Sequence, residues 1–150
     1  LQGDEPFINP KDIVKLNNNI ISKNSDIGTL GNKITKVDFI DKSIVKVITN
    51  NNIEKKKISR AKKFLRKCKH TKKNTYGHIG IYQFRTSILK KFVNLRQSKN
   101  EIKHRLEQLR AIENGINIDV VYSKNKSFGI DTVEDYVEIK KIMEYKIKKL

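Results

Sequence analysis

Short β-branched runs alternate along this chain with segments of helical periodicity, and that alternation restricts the possible folds more than any other feature. Strands are predicted near residues 26–34, 44–48, 53–61, 78–85 and 116–121. Helices are predicted near residues 10–22, 86–93, 101–112 and 132–143. Strands that alternate with helices are typical of domains in which helices cover the faces of a sheet. The sequence therefore predicts an α/β fold.

Several residues mark the ends of the predicted helices. Asn9 can cap a helix whose first position is Pro10. Ser98 and Glu101 stand three residues apart, as in a capping box, and Gly115 suits the position after a helix end. The helix between this capping box and Gly115 is expected to bury one apolar face, made of Ile102, Leu106, Leu109 and Ile112. The last helix is expected to bury Val133, Tyr136, Val137, Ile139, Ile142 and Met143.

The chain is strongly basic. Its 150 residues carry 33 Lys and Arg against 16 Asp and Glu, a formal net charge of +17. Residues 54–73 are the most basic stretch, which we interpret as a solvated, mobile surface rather than a packed element. Such a surface suits nucleic acid or another polyanion. Yet Lys outnumbers Arg by 27 to 6, although Arg is the side chain that pairs bidentately with phosphates and bases. A compositional drift towards Lys, Asn and Ile is therefore favoured, and a nucleic-acid-binding module stays an alternative.

Other features exclude several classes of protein. A single Cys cannot form an internal disulfide, and no apolar run approaches the length of a membrane-spanning helix. No Gly-rich phosphate loop, nucleophile elbow or HExxH motif is present. The chain begins with Leu1 and a polar Gln-Gly-Asp-Glu, typical neither of a signal peptide nor of a natural beginning. We therefore expect that the given sequence starts in the middle of a folded domain.

Two acids lie where strands are expected to have ended. Asp4 stands in Gly-Asp-Glu-Pro before the first helix, and Asp131 stands before the last one. Ligands of open α/β sheets bind beyond the carboxyl ends of the strands, where a carboxylate can hold a divalent cation beside a phosphate. Alternatively, Asp4 only organises its loop and Asp131 only caps a helix. The spacing alone leaves both interpretations open.

A second group of polar side chains lies on a strand and a helix. Strand alternation places His78, Gly80 and Tyr82 on one face, where an imidazole and a phenol could meet a polar ligand. A satisfied core histidine and a packed tyrosine are an equal alternative. Glu107 and Gln108 interrupt an apolar helix, which usually indicates its solvent face.

Six segments form a pattern that extends over almost the whole chain. In chain order they are Leu1–Pro6, Ile44–Val47, Ser59–Ala61, His78–Tyr82, Leu106–Arg110 and Gly129–Thr132. This order resembles the C-terminal part of the 3-deoxy-manno-octulosonate (KDO) cytidylyltransferases, the CMP-KDO synthetases. The Leu-Glu-Gln-Leu-Arg segment favours this family over the related CMP-sialic acid synthetases.

The resemblance implies a nucleotidyltransferase in which the anomeric hydroxyl of KDO attacks the α-phosphate of CTP. The products would be CMP-KDO, for lipopolysaccharide biosynthesis, and diphosphate. Asp4 and Asp131 are implied to hold Mg²⁺, which offsets the charge of the triphosphate. Arg60 is implied to act with them by pairing bidentately with the sugar-acid carboxylate. The residues implied to line the KDO pocket are Gln2, Arg60, His78, Tyr82, Glu107 and Gln108.

The resemblance also implies an architecture. The family has a Rossmann-like, three-layer α/β fold of the nucleotide-diphospho-sugar transferase type. Residues 1–150 are expected to form a single partial domain that lacks the N-terminal nucleotide-binding half, with 44–78 as a dimerisation insert. The complete enzyme is expected to be a cytoplasmic homodimer that uses CTP and KDO, without specific nucleic acid or membrane. Without the loop that grips the CTP phosphates, this chain is expected to bind CTP poorly.

Departures from the family pattern bear on these expectations. The segment after Arg60 and Ala61 reads Lys62-Lys63-Phe64 in place of Ile-Pro and an aromatic residue, and His104 replaces an acid. These losses resemble relaxed constraint, so an inactive remnant is a further alternative. Removal of the N-terminal strands is also expected to leave an open, apolar sheet edge and marginal stability.

Overall fold

The computed structural model describes residues 6, 8–68, 73–125, 129–130 and 132–147. Its helices are α1 (Pro10–Lys23), α2 (Lys36–Ile40), α3 (Ile53–Lys56), α4 (Thr86–Val93), α5 (Lys99–His104), α6 (Gln108–Glu113) and α7 (Val133–Ile147). Its strands are β1 (Ile27–Asn32), β2 (Lys46–Thr49), β3 (Ile58–Leu65), β4 (Thr75–Phe84) and β5 (Ile118–Ser123). None of the helices in these ranges is both long enough and apolar enough to cross a membrane.

The strands pair in a closed ring in the order β1-β4-β2-β3-β5. β1 lies between β4, to which it runs antiparallel, and β5, to which it runs parallel. β2 and β3 pair with each other and join β4 to β5. Each strand of the described chain therefore has a partner on both sides. The open sheet edge that was expected is absent from the described residues, because β2 and β3 close the sheet. The expectation of marginal stability that rested on an open edge therefore loses its basis.

Helices cover both faces of the part of the sheet made by β1, β4 and β5. On one face, α1 packs against the sheet through Leu16, Ile20, Leu30, Ile79, Ile81 and Val121. On the other face, a larger cluster joins the sheet to α4, α6 and the connection before α6 through Ile27, Ile118, Val120, Phe84, Phe92, Leu106 and Ala111. The predicted three-layer α/β class is confirmed.

The basic stretch at 54–73 is more ordered than predicted. β3 runs through it, pairs with both β2 and β5, and buries Ala61 and Phe64. The pairing with β2 shifts between Ala61 and Lys63, so Lys62 is the extra residue of a bulge. That bulge breaks the period of two between the buried side chains, which is why the alternation was not visible in the sequence. Arg60, Lys62 and Lys63 point outwards and are exposed.

The helix predicted after the capping box is two short helices. Ser98 and Glu101 form the predicted capping box, with each side chain bonded to the backbone amide of the other residue at 3.1 Å. However, Arg105 adopts a left-handed conformation (φ 52°) that ends α5, and α6 begins three residues later. As a result Ile102 is 62% exposed, whereas Leu106 is buried. Gly115, with φ +70°, follows α6 as predicted.

The last helix is mostly exposed, which the sequence did not predict. Of the apolar face expected to be buried, only Ile139 is fully buried, at 4% exposure. Val133, Tyr136, Val137 and Met143 are exposed. Helical spacing identifies an apolar face but not a partner for it, and the described part of the chain packs little against α7.

Lys46 of β2 is completely buried, which is unusual for a charged side chain, and it is flanked in sequence by Val45 and Val47. Its ammonium group donates hydrogen bonds to the backbone carbonyls of Asp41, Ile44 at 2.8 Å and Arg66 at 3.3 Å. Burial lowers the pKa of Lys46, which the nearby carboxylate of Asp41 partly offsets. The ammonium group thus ties the loop before β2 to the end of β3.

α1 approaches β1 closely because of Gly28. A Cβ atom at this position would lie 2.2 Å from Cγ1 and 2.3 Å from Cδ1 of Ile20, and 3.0 Å from Cδ1 of Leu16. Real Cβ atoms do not approach other atoms so closely, so a larger residue at position 28 requires the side chain of Ile20, or the helix that carries it, to shift.

We predict that Gly28→Ala lowers the free energy of unfolding by about 1–3 kcal/mol, the usual cost of overpacking a core. Chemical denaturation of the purified chain measures this change. In a double-mutant cycle with Ile20→Ala, which removes the two closest atoms, the combined loss should be smaller than the sum of the single losses. Additive losses would show that Ile20 does not limit the space at Gly28.

Candidate functional site

A bulge in β4 shapes the surface that carries the predicted polar residues. Thr29 of β1 is opposite Tyr82, whereas the next residue, Leu30, is opposite Ile79. Gly80 and Ile81 are therefore the two extra residues of β4 in its register with β1. Because the bulge adds two residues, the alternation of side chains between the faces is kept. Ile79 and Ile81 pack under α1, and the predicted placement of Tyr82 with His78 on the opposite face is confirmed.

The His78 ring is held by packing and by one hydrogen bond. It meets Phe64 edge to face, with 5.2 Å between ring centroids, and lies 5.4 Å from the ring of Tyr82. Its Nε2 atom is 2.9 Å from the hydroxyl oxygen of Thr29. Burial lowers the pKa of His78 from 6.5 to about 3, so the imidazole is neutral near neutral pH.

A cavity of about 350 Å³ opens beside Tyr82. Its lining consists of Ile27, Gly80, Tyr82, Phe84, Leu89, Phe92, Val93, Glu107, Gln108, Ala111 and Ile118. Burial raises the pKa of the Tyr82 phenol above its usual 10.0, and the negative charge of Glu107 adds to this rise. The cavity therefore combines an apolar wall with a neutral phenol, an amide and a carboxylate, a set of groups that suits a polar ligand.

Glu107 and Gln108 reach this cavity from the start of α6. The interpretation that both lie on a solvent face is right for Glu107, which is exposed. It is wrong for Gln108, which is only 7% exposed. The left-handed turn at Arg105 redirects the chain before α6, so the helical spacing assumed for one continuous helix does not apply.

An ion pair holds α6 next to the cavity wall. Arg110 donates to both carboxylate oxygens of Glu101, at 2.8 Å from Nε to Oε2 in one of the two bonds. The guanidinium also lies 4.9 Å from the ring centre of Phe92, which lines the cavity. The hydrogen bonds from Arg110 lower the pKa of Glu101 below its usual 4.5. This pair links α4, α5 and α6 into one support.

Arg60 is not brought to the cavity. Its Nε atom lies 3.8 Å from Oδ1 of Asp119, and the Arg60 side chain is 51% exposed. The other oxygen of Asp119 accepts a hydrogen bond from the hydroxyl of Ser25 at 2.5 Å. Arg60 is therefore engaged with a carboxylate of its own chain, and Tyr82, Glu107 and Gln108 are brought together without it.

Gln2, Asp4 and Asp131 lie outside the described residues. The structure does describe how the elements that adjoin the two aspartates are connected. Asp12, in the first turn of α1, accepts hydrogen bonds at 2.7 Å from the Ser123 hydroxyl and from the Asn125 amide. The start of α1 is thereby tied to the end of β5. Within the ranges that the structure describes, no cluster of three His, Cys, Asp or Glu residues suits a metal ion.

Sequence reasoning missed the residues that support the site from a distance. Thr29 and Phe92 carry no motif, and their roles depend on pairing and packing between distant segments. Asp12 resembles an ordinary acid in a first helical turn, which is favourable by itself. Only the capping-box spacing of Ser98 and Glu101 gave a local signal for part of this support.

Comparisons with known proteins agree with the pattern of segments. A family model described as cytidylyltransferase matches residues 1–145. The 3-deoxy-manno-octulosonate cytidylyltransferase of Thermodesulfovibrio yellowstonii is 44% identical over 144 residues, covering 90% of this chain and 55% of that protein. The protein of the same name from Lawsonia intracellularis is 39% identical over 135 residues, covering 90% of this chain and 53% of its own length.

A solved structure is similar as well. It is titled as CMP:2-keto-3-deoxy-manno-octonic acid synthetase complexed with CTP. The TM-score is 0.84 at 29% identity, over 97% of this chain and 61% of that chain. The chain thus spans little more than half the length of these curated relatives.

We predict that Glu101→Gln lowers the free energy of unfolding by about 2 kcal/mol near neutral pH, because a charged hydrogen-bond acceptor for Arg110 is lost. The folded-state pKa of Glu101 is lowered, so its stabilisation is present above the usual value of 4.5 and disappears as the pH falls through the folded-state pKa. Urea denaturation at about pH 7 and about pH 3 should show the two proteins becoming more alike in acid.

The matched control is Glu138→Gln, which changes an exposed acid in the middle of α7. A surface substitution of this kind should change stability by at most about 0.5 kcal/mol. Equal losses in both variants, or a difference between wild type and Glu101→Gln that persists in acid, would contradict the role given to the ion pair.

Proposed function

Because this chain belongs to the cytidylyltransferase family, we propose that it is the sugar-binding part of a 3-deoxy-manno-octulosonate cytidylyltransferase. The reaction would join KDO to CMP from CTP, releasing diphosphate. The observation that carries the proposal is the convergence of Tyr82, Glu107 and Gln108 on one cavity, with His78 in contact with Tyr82. These residues come from two segments separated in the chain, and they belong to the same family pattern.

The chemistry of the cavity supports a sugar acid. A polyhydroxylated ring needs a mixture of hydrogen-bond donors and acceptors, which the phenol of Tyr82, the amide of Gln108 and the carboxylate of Glu107 supply. The remaining wall is apolar and aromatic, with Phe84 and Phe92 among its members. Such a wall suits the faces of a sugar ring that carry C–H groups, and it limits the water that competes for the polar groups.

We also propose that Asp4 and Asp131 hold Mg²⁺. When bound, the ion would offset the negative charge of the CTP phosphates and fix their geometry. The bonds of Asp12 to Ser123 and Asn125 support this assignment, because they connect the helix that follows Asp4 to the strand that precedes Asp131. Two carboxylates are a donor set that suits a hard divalent cation.

The role proposed for Arg60 requires a change of partner. To pair with the carboxylate of a sugar acid, its guanidinium would have to leave Asp119. The contact is long at 3.8 Å and half of the side chain is exposed, so the cost of leaving is small. Arg60 therefore stays a proposed ligand of the carboxylate, with weaker structural support than Tyr82 or Gln108.

The proposal includes a homodimer formed through residues 44–78 and a place in cytoplasmic lipopolysaccharide biosynthesis. Val37 and Ile40 of α2, just before this segment, are 77% and 79% exposed. These two exposed apolar side chains beside the segment are consistent with an interface, since contiguous exposed apolar surface marks sites of protein association.

The test is KDO binding to the purified chain, measured by calorimetry. We predict that Gln108→Ala weakens KDO binding about tenfold, equivalent to about 1.4 kcal/mol, because a buried amide that contacts the sugar is removed. Tyr82→Phe should weaken binding to a similar degree through the loss of one hydroxyl.

Gln83→Ala is the matched control. Gln83 neighbours Tyr82 in β4, but its amide donates to the side chain of Asn17 in α1 and does not line the cavity. KDO affinity should therefore stay at the wild-type value in this variant. Failure of the wild-type chain to bind KDO, or equal losses for Gln83→Ala and Gln108→Ala, would reject the proposed sugar site.

A further inference from the structure

The hydroxyl group of Thr29 is fully buried at a point where several polar atoms meet. It lies 2.7 Å from the carbonyl oxygen of Ile81, 3.3 Å from that of Ile79 and 2.9 Å from Nε2 of His78. A hydroxyl has a single hydrogen to donate, whereas a carbonyl oxygen has none. The close contact with Ile81 is therefore favourable only if the Thr29 hydrogen points at that carbonyl.

This assignment decides where the proton of His78 lies. With its hydrogen directed at Ile81, the Thr29 oxygen can only accept a hydrogen bond from His78, so Nε2 must carry a hydrogen. The ring is neutral near neutral pH because burial keeps the pKa of His78 at about 3. A neutral imidazole carries one hydrogen, so Nδ1 is an acceptor. Among the residues that the structure describes, none forms a hydrogen bond with Nδ1.

We propose that Thr29 is a positioning residue that fixes His78 as the Nε2–H tautomer and thereby presents Nδ1 as a hydrogen-bond acceptor for a hydroxyl of the substrate. The inference rests on the proposed function for the identity of the ligand. A sugar hydroxyl can donate to Nδ1, whereas a carboxylate or phosphate oxygen would meet another acceptor. Thr29 thus makes His78 select a hydroxyl over an anionic group, and the sugar-acid carboxylate must bind elsewhere.

The tautomer is measured directly by ¹⁵N NMR of the free chain labelled at histidine. The sequence contains only three histidines, and His78→Gln identifies the resonances of His78. We expect a protonated Nε2 and an unprotonated Nδ1, unchanged between about pH 5 and about pH 8. A protonated Nδ1, or a ring that becomes charged in this range, would overturn the inference without any ligand present.

Two variants test the part played by Thr29. Thr29→Ser keeps the hydroxyl and should keep the Nε2–H tautomer. Thr29→Val has a similar shape but cannot accept from Nε2, so His78 should lose its single tautomer and populate both. Retention of one Nε2–H tautomer in a folded Thr29→Val variant would show that Thr29 does not fix it. Should Thr29→Val fail to fold, a protonated Nδ1 in Thr29→Ser would overturn the inference instead.

A titration with KDO separates this inference from the proposed function. We expect the Nδ1 resonance of His78 to move towards the position of a hydrogen-bonded acceptor as KDO binds, with Nε2 unchanged. If calorimetry shows no KDO binding, the proposed function fails while the tautomer result stands. If KDO binds and the Nδ1 resonance does not move, the assignment of a substrate hydroxyl to His78 is wrong.

Discussion

The hydrogen bonds of one buried hydroxyl group hold together the strand distortion on which the site depends. Thr29 donates to the carbonyl of Ile81, inside the two-residue bulge where β4 departs from β1. Without a donor there, a buried carbonyl would lose its partner at a cost of about 1–3 kcal/mol. The bulge keeps His78 and Tyr82 on the cavity face and leaves Ile79 and Ile81 under α1. One side chain therefore stabilises the strand geometry and orients a polar ring of the site.

A second connection acts at the other end of the sheet. β1 and β5 are parallel, so their carboxyl ends meet at one edge, which is where ligands of α/β sheets bind. Asp12 joins the first turn of α1 to Ser123 at the end of β5. The two segments that carry Asp4 and Asp131 thus adjoin elements that are fixed relative to each other. The proposed metal site and the sugar cavity would then share β1 as a common support.

The sequence predicted the features that depend on neighbouring residues. The cap at Asn9, the capping box at Ser98 and the alternation in β4 are set by spacings of a few residues, and all are present. The burial of Lys46, the left-handed turn at Arg105 and the exposure of α7 were not predictable in this way. Each depends on which distant segment packs against it. The same distinction holds within the site. Family motifs indicated Tyr82 and Gln108 from the sequence, whereas the role of Thr29 could be recognised only from the pairing of β1 with β4.

Different groups would attract the proposed substrates and recognise them. The attracting charges lie on the surface, whereas the recognising groups line the cavity. The chain carries a net charge of +17, but the polar groups beside Tyr82 are mostly uncharged, because burial lowers the pKa of His78 and raises that of Tyr82. Long-range attraction of anionic substrates can come from many surface lysines in any arrangement, and salt screens it. Recognition inside the cavity would depend on short hydrogen bonds to the phenol of Tyr82, the amide of Gln108 and the carboxylate of Glu107, which tolerate little displacement. A drift towards surface lysine can therefore proceed without altering the chemistry of the cavity, and a basic composition is no argument for a nucleic-acid partner.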